Sequence, residues 1–202
     1  MDEGAGTTVG DASGNGNTGT ITGDPVWTTG VLAGALEFSG DDYVDCGADP
    51  SLQIQDAITL TAWIKVASFT VEWETIVAMG DDSYRMARSS GTGDAIHFGC
   101  NGLTGGNVNG TAIVTTDTWR HVALVYDGAQ ASIYIDGLLD VSVESTGQIN
   151  VSAYNLYIGE NSQATGRQLG GSVDDVRIYN RALSPAEVAG LSGRTTPIHV
   201  PF

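Results

Sequence analysis

Gly171-Ser172-Val173-Asp174-Asp175-Val176-Arg177-Ile178-Tyr179-Asn180-Arg181-Ala182-Leu183-Ser184-Pro185-Ala186-Glu187-Val188-Ala189-Gly190-Leu191 decides the fold class. Its first half reads as a β-strand with a buried apolar side at Val176 and Ile178 and an acidic entry at Asp174 and Asp175. Its second half reads as a short helix with a legible start. Ser184 stands at the N-cap and Pro185 at the first helical position, where a missing N–H costs nothing. Glu187 completes a capping box with Ser184.

Outward from this stretch the chain keeps repeating one signal. Segments of alternating or apolar β-formers predict strands at 19–22, 35–46, 59–66, 75–79, 83–88, 95–100, 112–115, 120–126, 131–136, 155–159 and 172–179. Turn residues separate them. Asp136-Gly137 lies between Ile133-Tyr134-Ile135 and Leu138-Leu139, a hairpin signal, because the turn needs positive φ and Gly supplies it. Many short strands at this spacing indicate a sandwich or barrel. A parallel α/β fold would need helical crossovers, and only residues 185–191 read as a helix. No internal repeat and no dividing linker is visible. Residues 1–191 therefore read as one domain, and residues 192–202, where the pattern is lost, as a tail or linker.

Composition narrows the function classes. The chain has 202 residues, enough for one sandwich with a real core. Its 24 acidic residues against 8 basic ones give a net charge of −16. Such a surface repels nucleic acid and anionic lipid, and favours calcium and neutral or cationic partners. No apolar run approaches the roughly 20 residues of a membrane helix, so membrane insertion is not expected. The opening Met1-Asp2-Glu3-Gly4 reads as a fragment of a longer chain, so the missing signal segment says nothing of compartment. Cys46 and Cys100 stand where an apolar residue would continue a strand. A disulfide and two buried free thiols compete, and the thiols are preferred, because buried Cys behaves as a small hydrophobe.

Several stretches carry a family likeness: Asp2-Glu3-Gly4-Ala5-Gly6 with Asp11-Ala12-Ser13-Gly14-Asn15-Gly16-Asn17; Ala35-Leu36-Glu37-Phe38-Ser39-Gly40-Asp41-Asp42-Tyr43-Val44; residues 59–65 around Trp63; Trp119-Arg120-His121-Val122-Ala123-Leu124-Val125-Tyr126-Asp127-Gly128; Ile133-Tyr134-Ile135-Asp136-Gly137; and the closing strand and helix. In order and spacing these resemble the bacterial laminin-G-like, concanavalin-A-like lectin/glucanase domains over residues 2–191. The resemblance implies an all-β, two-sheet antiparallel jelly-roll sandwich with one short C-terminal helix. It also implies a sugar-binding or adhesive module of a larger secreted or cell-surface protein, and a structural calcium. Such domains carry a strand just before the Asp-Glu-Gly. Here it is absent, so one sheet position is expected to be vacant, with residues 198–202 as a candidate to pack near that N-terminal edge.

Three constellations follow. The first is calcium. Asp11 to Asn17 alternates oxygen-bearing and small residues, as a loop around a hard cation does. By the resemblance, Asp174 and a backbone carbonyl at Gly40 would complete the set of Asp11, Asn17, Gly40 and Asp174. The bland reading is a solvated turn and a strand-end cap. The second is catalysis. The jelly-roll glycosidase spacing Glu-x-Asp-x-x-Glu is absent, and Glu72 and Glu74 read as solvated acids. His121 reads as structural, and Trp27, Trp63 and Trp119 as core. The third is a ligand face. If Met86, Ile96 and Phe98 point inward, Arg85, His97 and Gly99 point outward by the period of two. With Asn101 beyond them and Trp73 in a nearby loop, they would bind a polysaccharide or glycan on the concave sheet. The preferred expectation is thus a non-catalytic, calcium-stabilised carbohydrate-binding or adhesion module. A glycosidase or lyase of the same fold and a structural spacer are its rivals, and other domains of the parent protein are expected partners.

Overall fold

A computed structural model describes residues 1–90 and 93–194. It holds fifteen strands and one α-helix: β1 (Thr8–Val9), β2 (Gly19–Thr22), β3 (Val26–Thr29), β4 (Gly34–Phe38), β5 (Tyr43–Asp45), β6 (Ile58–Lys65), β7 (Thr75–Ala78), β8 (Tyr84–Arg88), β9 (Ile96–Cys100), β10 (Asn107–Asn109), β11 (Arg120–Tyr126), β12 (Gln130–Ile135), β13 (Leu138–Glu144), β14 (Tyr157–Ile158), β15 (Gly171–Tyr179) and α1 (Pro185–Leu191). All strand pairs within the sheets are antiparallel. One sheet of eight strands runs β1-β2-β5-β14-β7-β8-β9-β10, and one of seven runs β13-β12-β11-β6-β15-β4-β3. This is the two-sheet jelly roll.

Between the sheets lies a single large core. Leu60, Ala62 and Ile64 of β6, Val122 and Leu124 of β11 and Phe38 of β4 meet Met86, Ile96 and Phe98 of the other sheet. Each alternates with outward residues, as the period of two demands. A smaller cluster sits on the opposite side of the seven-stranded sheet. There Leu183 and Val188 pack on Ala123, Val125 and Tyr134, which seats α1 against the sheet. The start of α1 is as the sequence spells it: Ser184 accepts from the Glu187 amide, Glu187 accepts from the Ser184 amide, and Pro185 opens the helix.

The Asp136-Gly137 turn is also as expected, with φ of 49° and 74°. Both values lie in the left-handed region, the backbone of a two-residue hairpin turn. Asp136 does more than turn the chain. Its carboxylate accepts from the His121 amide and from Arg120 Nε, which ties the hairpin back to β11.

Several expectations need correction. The predicted strand 35–46 is two strands in different sheets, β4 and β5. Between them the chain crosses the sandwich at a bend in which buried Asp42 accepts from the Ser39 and Asp24 amides. Residues 112–115 form no strand, only an isolated bridge from Thr115 to Val66. Strands β1, β3, β10 and most of β13 were not anticipated. The tryptophans are not central core residues. Trp27 packs on the core only at its edge. Trp63 alternates to the outer side of β6, edge-on to His121 at 5.3 Å. Trp119 is half-buried beside Lys65 and Thr28. Val176 and Ile178 pack against the core but are only half-buried, because β15 bulges at Asp175, whose φ is 48°. Cys46 and Cys100 are both free thiols, Cys100 buried and Cys46 half-buried. Burial pushes the Cys46 thiol up to about 12, so neither reactivity nor metal ligation is favoured there. Among the described residues β3 ends the seven-stranded sheet, and Met1 and Asp2 lie against Gly34 nearby. The expected docking of residues 198–202 falls outside the described residues.

Glu74 is the plainest departure. It is 0% exposed rather than solvated. One carboxylate oxygen accepts from the Thr70 and Val71 amides, and the other from the Gly170 amide. It thereby staples the loop before β7 to the start of β15. Glu74→Ala leaves these donors without a partner. A loss of more than about 2 kcal/mol in urea denaturation is expected, since each buried donor left unpaired costs roughly 1–3 kcal/mol.

Candidate functional site

The outer face of the eight-stranded sheet is set by alternation. Tyr84 and Met86 of β8, Phe98 of β9 and Val108 of β10 are buried inward. Arg85, His97, Gly99, Asn107 and Asn109 therefore point out. Register lines them up: Arg85 stands opposite Gly99 and Gly99 opposite Asn107, while His97 stands opposite Asn109.

Gly99 is needed for this arrangement. A β-carbon there would fall 2.6 Å from Arg85 Cζ. Its absence lets the guanidinium lie across β9. Arg85 Nη2 then donates to Asn107 Oδ1 at 3.3 Å and lies 3.3 Å from His97 Nε2, while Nη1 donates to the Asp81 carbonyl at 3.2 Å. His97 Nδ1 lies 2.8 Å from Asn109 Oδ1. An amide oxygen only accepts, so Nδ1 carries the proton and Nε2 offers its lone pair to Arg85. The imidazole is neutral. Burial pushes His97 down to about 4, and the Arg85 charge pushes the same way. Burial also lowers the Arg85 guanidinium, partly offset by Asp81.

Trp73 closes the cluster. Its ring stands edge-on to His97 at 4.7 Å and 80°, and Arg85 Cζ lies 5.6 Å from its centroid. The Trp73 backbone has φ 61°, left-handed for a bulky residue. Thr75 Oγ1 donates to the Trp73 carbonyl at 2.8 Å, and adjacent Glu74 is stapled as described. Asp81 supplies a second anchor. Its Oδ1 accepts from Arg167 Nη1 and from Asn161 Nδ2, each at 2.8 Å. Arg167 is in turn held by Glu160, a buried carboxylate that accepts its amide and those of Asn161 and Gly166.

Three of the four expected ligand residues, Trp73, Arg85 and His97, are thus brought together. Asn101 is not part of the cluster; its backbone instead pairs with Ser83 and Asn150. Asn107 and Asn109 take the place expected of it, and both are exposed. A three-residue strand has no readable period, so only the spacing of two between the asparagines pointed to them. Arg85 is 8% exposed and His97 1%, so they support the site from beneath, while Trp73, Asn107 and Asn109 present its open rim.

The residues expected to share calcium each make contacts of their own. Asp11 closes its own loop: its carboxylate accepts from the Ser13 and Asn17 amides, and these bonds hold its pKa below the usual carboxylate range against the opposing effect of burial. Asn17 Nδ2 donates to Ser51. Gly40 is an exposed turn residue with open space beside it. Asp174, 1% exposed, accepts from the Val31 and Leu32 amides through Oδ2. Among the described residues no three acidic, His or Cys side chains converge as a metal cluster would.

Two grooves lie elsewhere. One of about 490 Å³ runs beside α1 over Tyr134 and Leu139, and one of about 300 Å³ lies between Lys65, Glu37 and Trp119. Neither combines an aromatic ring with a convergent set of planar amide and guanidinium groups, as the Trp73 cluster does.

A two-sheet antiparallel sandwich with a closing helix and a polar, aromatic outer face is a jelly-roll domain of the lectin and glucanase type. The chain belongs to the concanavalin A-like lectin/glucanases superfamily, whose profile matches residues 38–189. Comparison with curated proteins gives no match. Among solved structures, domain 4 of AbnA, a GH43 extracellular arabinanase from Geobacillus stearothermophilus in complex with arabinotriose, superposes with a TM-score of 0.71 at 21% identity, over 90% of this chain and 91% of that one. The CBM40 of the Ruminococcus gnavus IT-sialidase, bound to α2,3 sialyllactose, gives 0.62 at 16% identity over 79% and 96%. The binding domain of botulinum neurotoxin serotype G gives 0.64 at 18% identity over 91% of this chain and 47% of that one. At these identities the likeness is one of fold.

Burial pushes His121 down to about 4 as well as His97. In the unfolded chain both take up protons near pH 6.5. The unfolded state therefore binds more protons between about pH 6.5 and 4, and stability present above that window is lost as pH falls through it. Chemical denaturation at pH 7.0 and 5.0 should show this loss. His97→Gln with His121→Gln should flatten it. An unchanged slope in the double variant would assign the acid sensitivity to other groups.

Proposed function

We propose that the domain is a non-catalytic carbohydrate-binding module of a secreted or cell-surface protein. The observation that carries this reading is the Trp73–Arg85–His97–Asn107–Asn109 cluster: an aromatic ring beside planar donors and acceptors fixed by one another. Sugar C–H faces pack on aromatic rings, and hydroxyls need paired donors and acceptors at set angles. A site whose polar groups are already oriented loses less freedom on binding. Named relatives of the fold bind arabinotriose and sialyllactose, which supports a glycan as ligand. Glu74, the inner acid of the nearest carboxylate pair, has both oxygens engaged by backbone amides. No described helix is long and apolar enough to cross a membrane.

A glycan array with polysaccharide pull-down tests the reading. Asn109→Ala and Trp73→Ala should each weaken binding by at least roughly fivefold, the loss of about 1 kcal/mol from one hydrogen-bond or stacking contact. Binding to no glycan by a folded protein would remove the proposal, and hydrolysis of a bound glycan would replace it with an enzyme.

Calcium belongs to the same proposal as a stabiliser, at Asp174 rather than in the Asp11 loop. Asp174 is a buried carboxylate with no ion-pair partner among the described residues, and the Gly34 carbonyl closes on Gly30 beside it. Buried charge without a counter-charge is costly, and a hard cation would offset it. Calcium should raise the melting temperature of the wild type over that in chelator. Asp174→Asn, which keeps an oxygen for the Val31 and Leu32 amides, should abolish the difference. Equal melting temperatures in calcium and chelator would remove the ion.

A further inference from the structure

Charge is spread unevenly along the chain. Residues 1–64 carry ten of the 24 acidic residues and no Lys, Arg or His. They build β1, β2 and β5, which with β14 form one end of the eight-stranded sheet. Val44 and Ile158 point into the core, so their strand neighbours point out. Thr8, Thr20, Asp45 and Tyr157 make one row on this outer face, and Thr22 and Tyr43 stand opposite each other in the next. The threonines are exposed and the other three residues half-buried. This patch is separate from the Trp73 cluster. Ala78, between the two, is 0% exposed. Residues 160–167 lie beside it: Asn161 and Arg167 donate to Asp81, Gln163 accepts from the Asp82 amide, and Ser162 donates to the Asn155 carbonyl.

Two features of the patch favour a cation. Tyr43 and Tyr157 stack at 4.5 Å with 22° between their planes. Each ring of a stacked pair keeps one face free of the other, and a ring face attracts positive charge. Asp45, opposite Tyr157, accepts from Asn155 Nδ2 at 3.0 and 3.1 Å and from the Gly47 amide at 2.8 Å. These donors are neutral, so they fix the carboxylate and leave its charge uncompensated. Among the described residues no cation pairs with Asp45, nor with Asp11 or Asp49 nearby. Asp49 accepts from the Ser51 amide, Ser51 Oγ accepts from Asn17 Nδ2, and Asp11 accepts from the Asn17 amide, which ties these two acids together. Arg85 and Arg167 are both committed to Asp81.

We propose that the outer face of β2, β5 and β14 docks an arginine-rich segment of another protein. The proposal is independent of the carbohydrate-binding reading, which uses the other half of the sheet. Charge complementarity names the occupant: a segment of 64 residues without a base leaves this end of the sandwich negative, and such a field steers a cationic partner towards it. The tyrosine pair selects arginine over lysine. A guanidinium lies flat on an aromatic ring and forks to a carboxylate beside it, whereas an ammonium is a strongly hydrated point charge. Strands about 4.8 Å apart give the face from β1 to β14 a width of about 14 Å, which an extended segment of about four residues spans.

The test titrates labelled nona-arginine and nona-lysine peptides with the whole chain by fluorescence anisotropy. Nona-arginine should bind with one-to-one stoichiometry, tighter than nona-lysine by at least about threefold, and more weakly as salt rises. Asp45→Asn, which keeps an oxygen for Asn155 and Gly47, should weaken it about three- to fivefold. Thr20→Lys, at an exposed position in the same row, should weaken it at least as much without touching the core. Tyr157→Leu removes the ring and should erase the advantage of arginine over lysine. Asp127→Asn removes one charge from the β11–β12 turn and should change affinity less than about twofold. An Asp127→Asn loss as large as that of Asp45→Asn assigns the binding to net charge and overturns the site. Equal affinity for the two peptides, or an arginine advantage that survives Tyr157→Leu, overturns the role of the tyrosines and with it the arginine-rich partner. No binding of nona-arginine by the folded wild type at low salt overturns the proposal and leaves the carbohydrate-binding reading untouched.

Discussion

Buried carboxylates that accept backbone amides hold this domain's loops in place. Asp42, Glu74, Glu160 and Asp174 are each at most 4% exposed. Each accepts main-chain N–H groups from a bend or loop and pairs with no cation among the described residues. A jelly roll has many crossings between its sheets, and at each one amides leave the ladder and lose their partners. Those amides must be satisfied somewhere. A carboxylate offers two oxygens with several acceptor directions, so one side chain can serve two or three donors at once. Charged hydrogen bonds of this kind are roughly twice as strong as neutral ones.

This gives the acidic composition a structural meaning as well as a solvation one. Acids outside the core do the same work. Asp127 accepts from the Ala129 and Gln130 amides, Asp140 from the Thr111 amide, and Asp49 from the Ser51 amide. Part of the −16 net charge is thus the by-product of a way of making turns. The cost is self-repulsion, which the few arginines offset locally: Arg167 and Arg85 at Asp81, Arg120 at Asp136, Arg177 at Asp175 and Arg181 at Glu187. Each of these cations is committed to a neighbouring acid.

What was legible in the chain were features whose physics is local. The Ser184–Glu187 capping box, the Asp136-Gly137 turn and the alternation of β8, β9 and β11 depend on residues within a few positions of each other, and all stand as read. The alternation also carried Arg85 and His97 to the outer face. What was not legible depends on partners far along the chain. Glu74 looks solvated in its own neighbourhood, yet its partner Gly170 lies 96 residues away. Trp63 looks like core, but the strand's phase places it outside, edge-on to His121. Strands β1 and β10 are too short for any period to show. Asn101 continues β9 directly in the sequence, whereas the chain turns away there and brings Asn107 and Asn109 of β10 alongside.

The staples and the candidate site meet at Trp73. A left-handed backbone costs a bulky residue about 1–2 kcal/mol, so the φ of 61° at Trp73 persists only because its surroundings hold it. Glu74 provides that hold, fixing the loop at Thr70, Val71 and Gly170. The Arg88 amide bonded to the Glu74 carbonyl adds a further tie to β8. The indole is thereby set against His97 and Arg85 before any ligand arrives. Arg85 reaches its position only because Gly99 has no side chain, and His97 presents a lone pair only because Asn109 takes its proton-bearing side. Fold and site therefore share their supports: the acid that closes a loop crossing also orients the ring at the rim, and a change at Glu74 acts on the outer face without touching it.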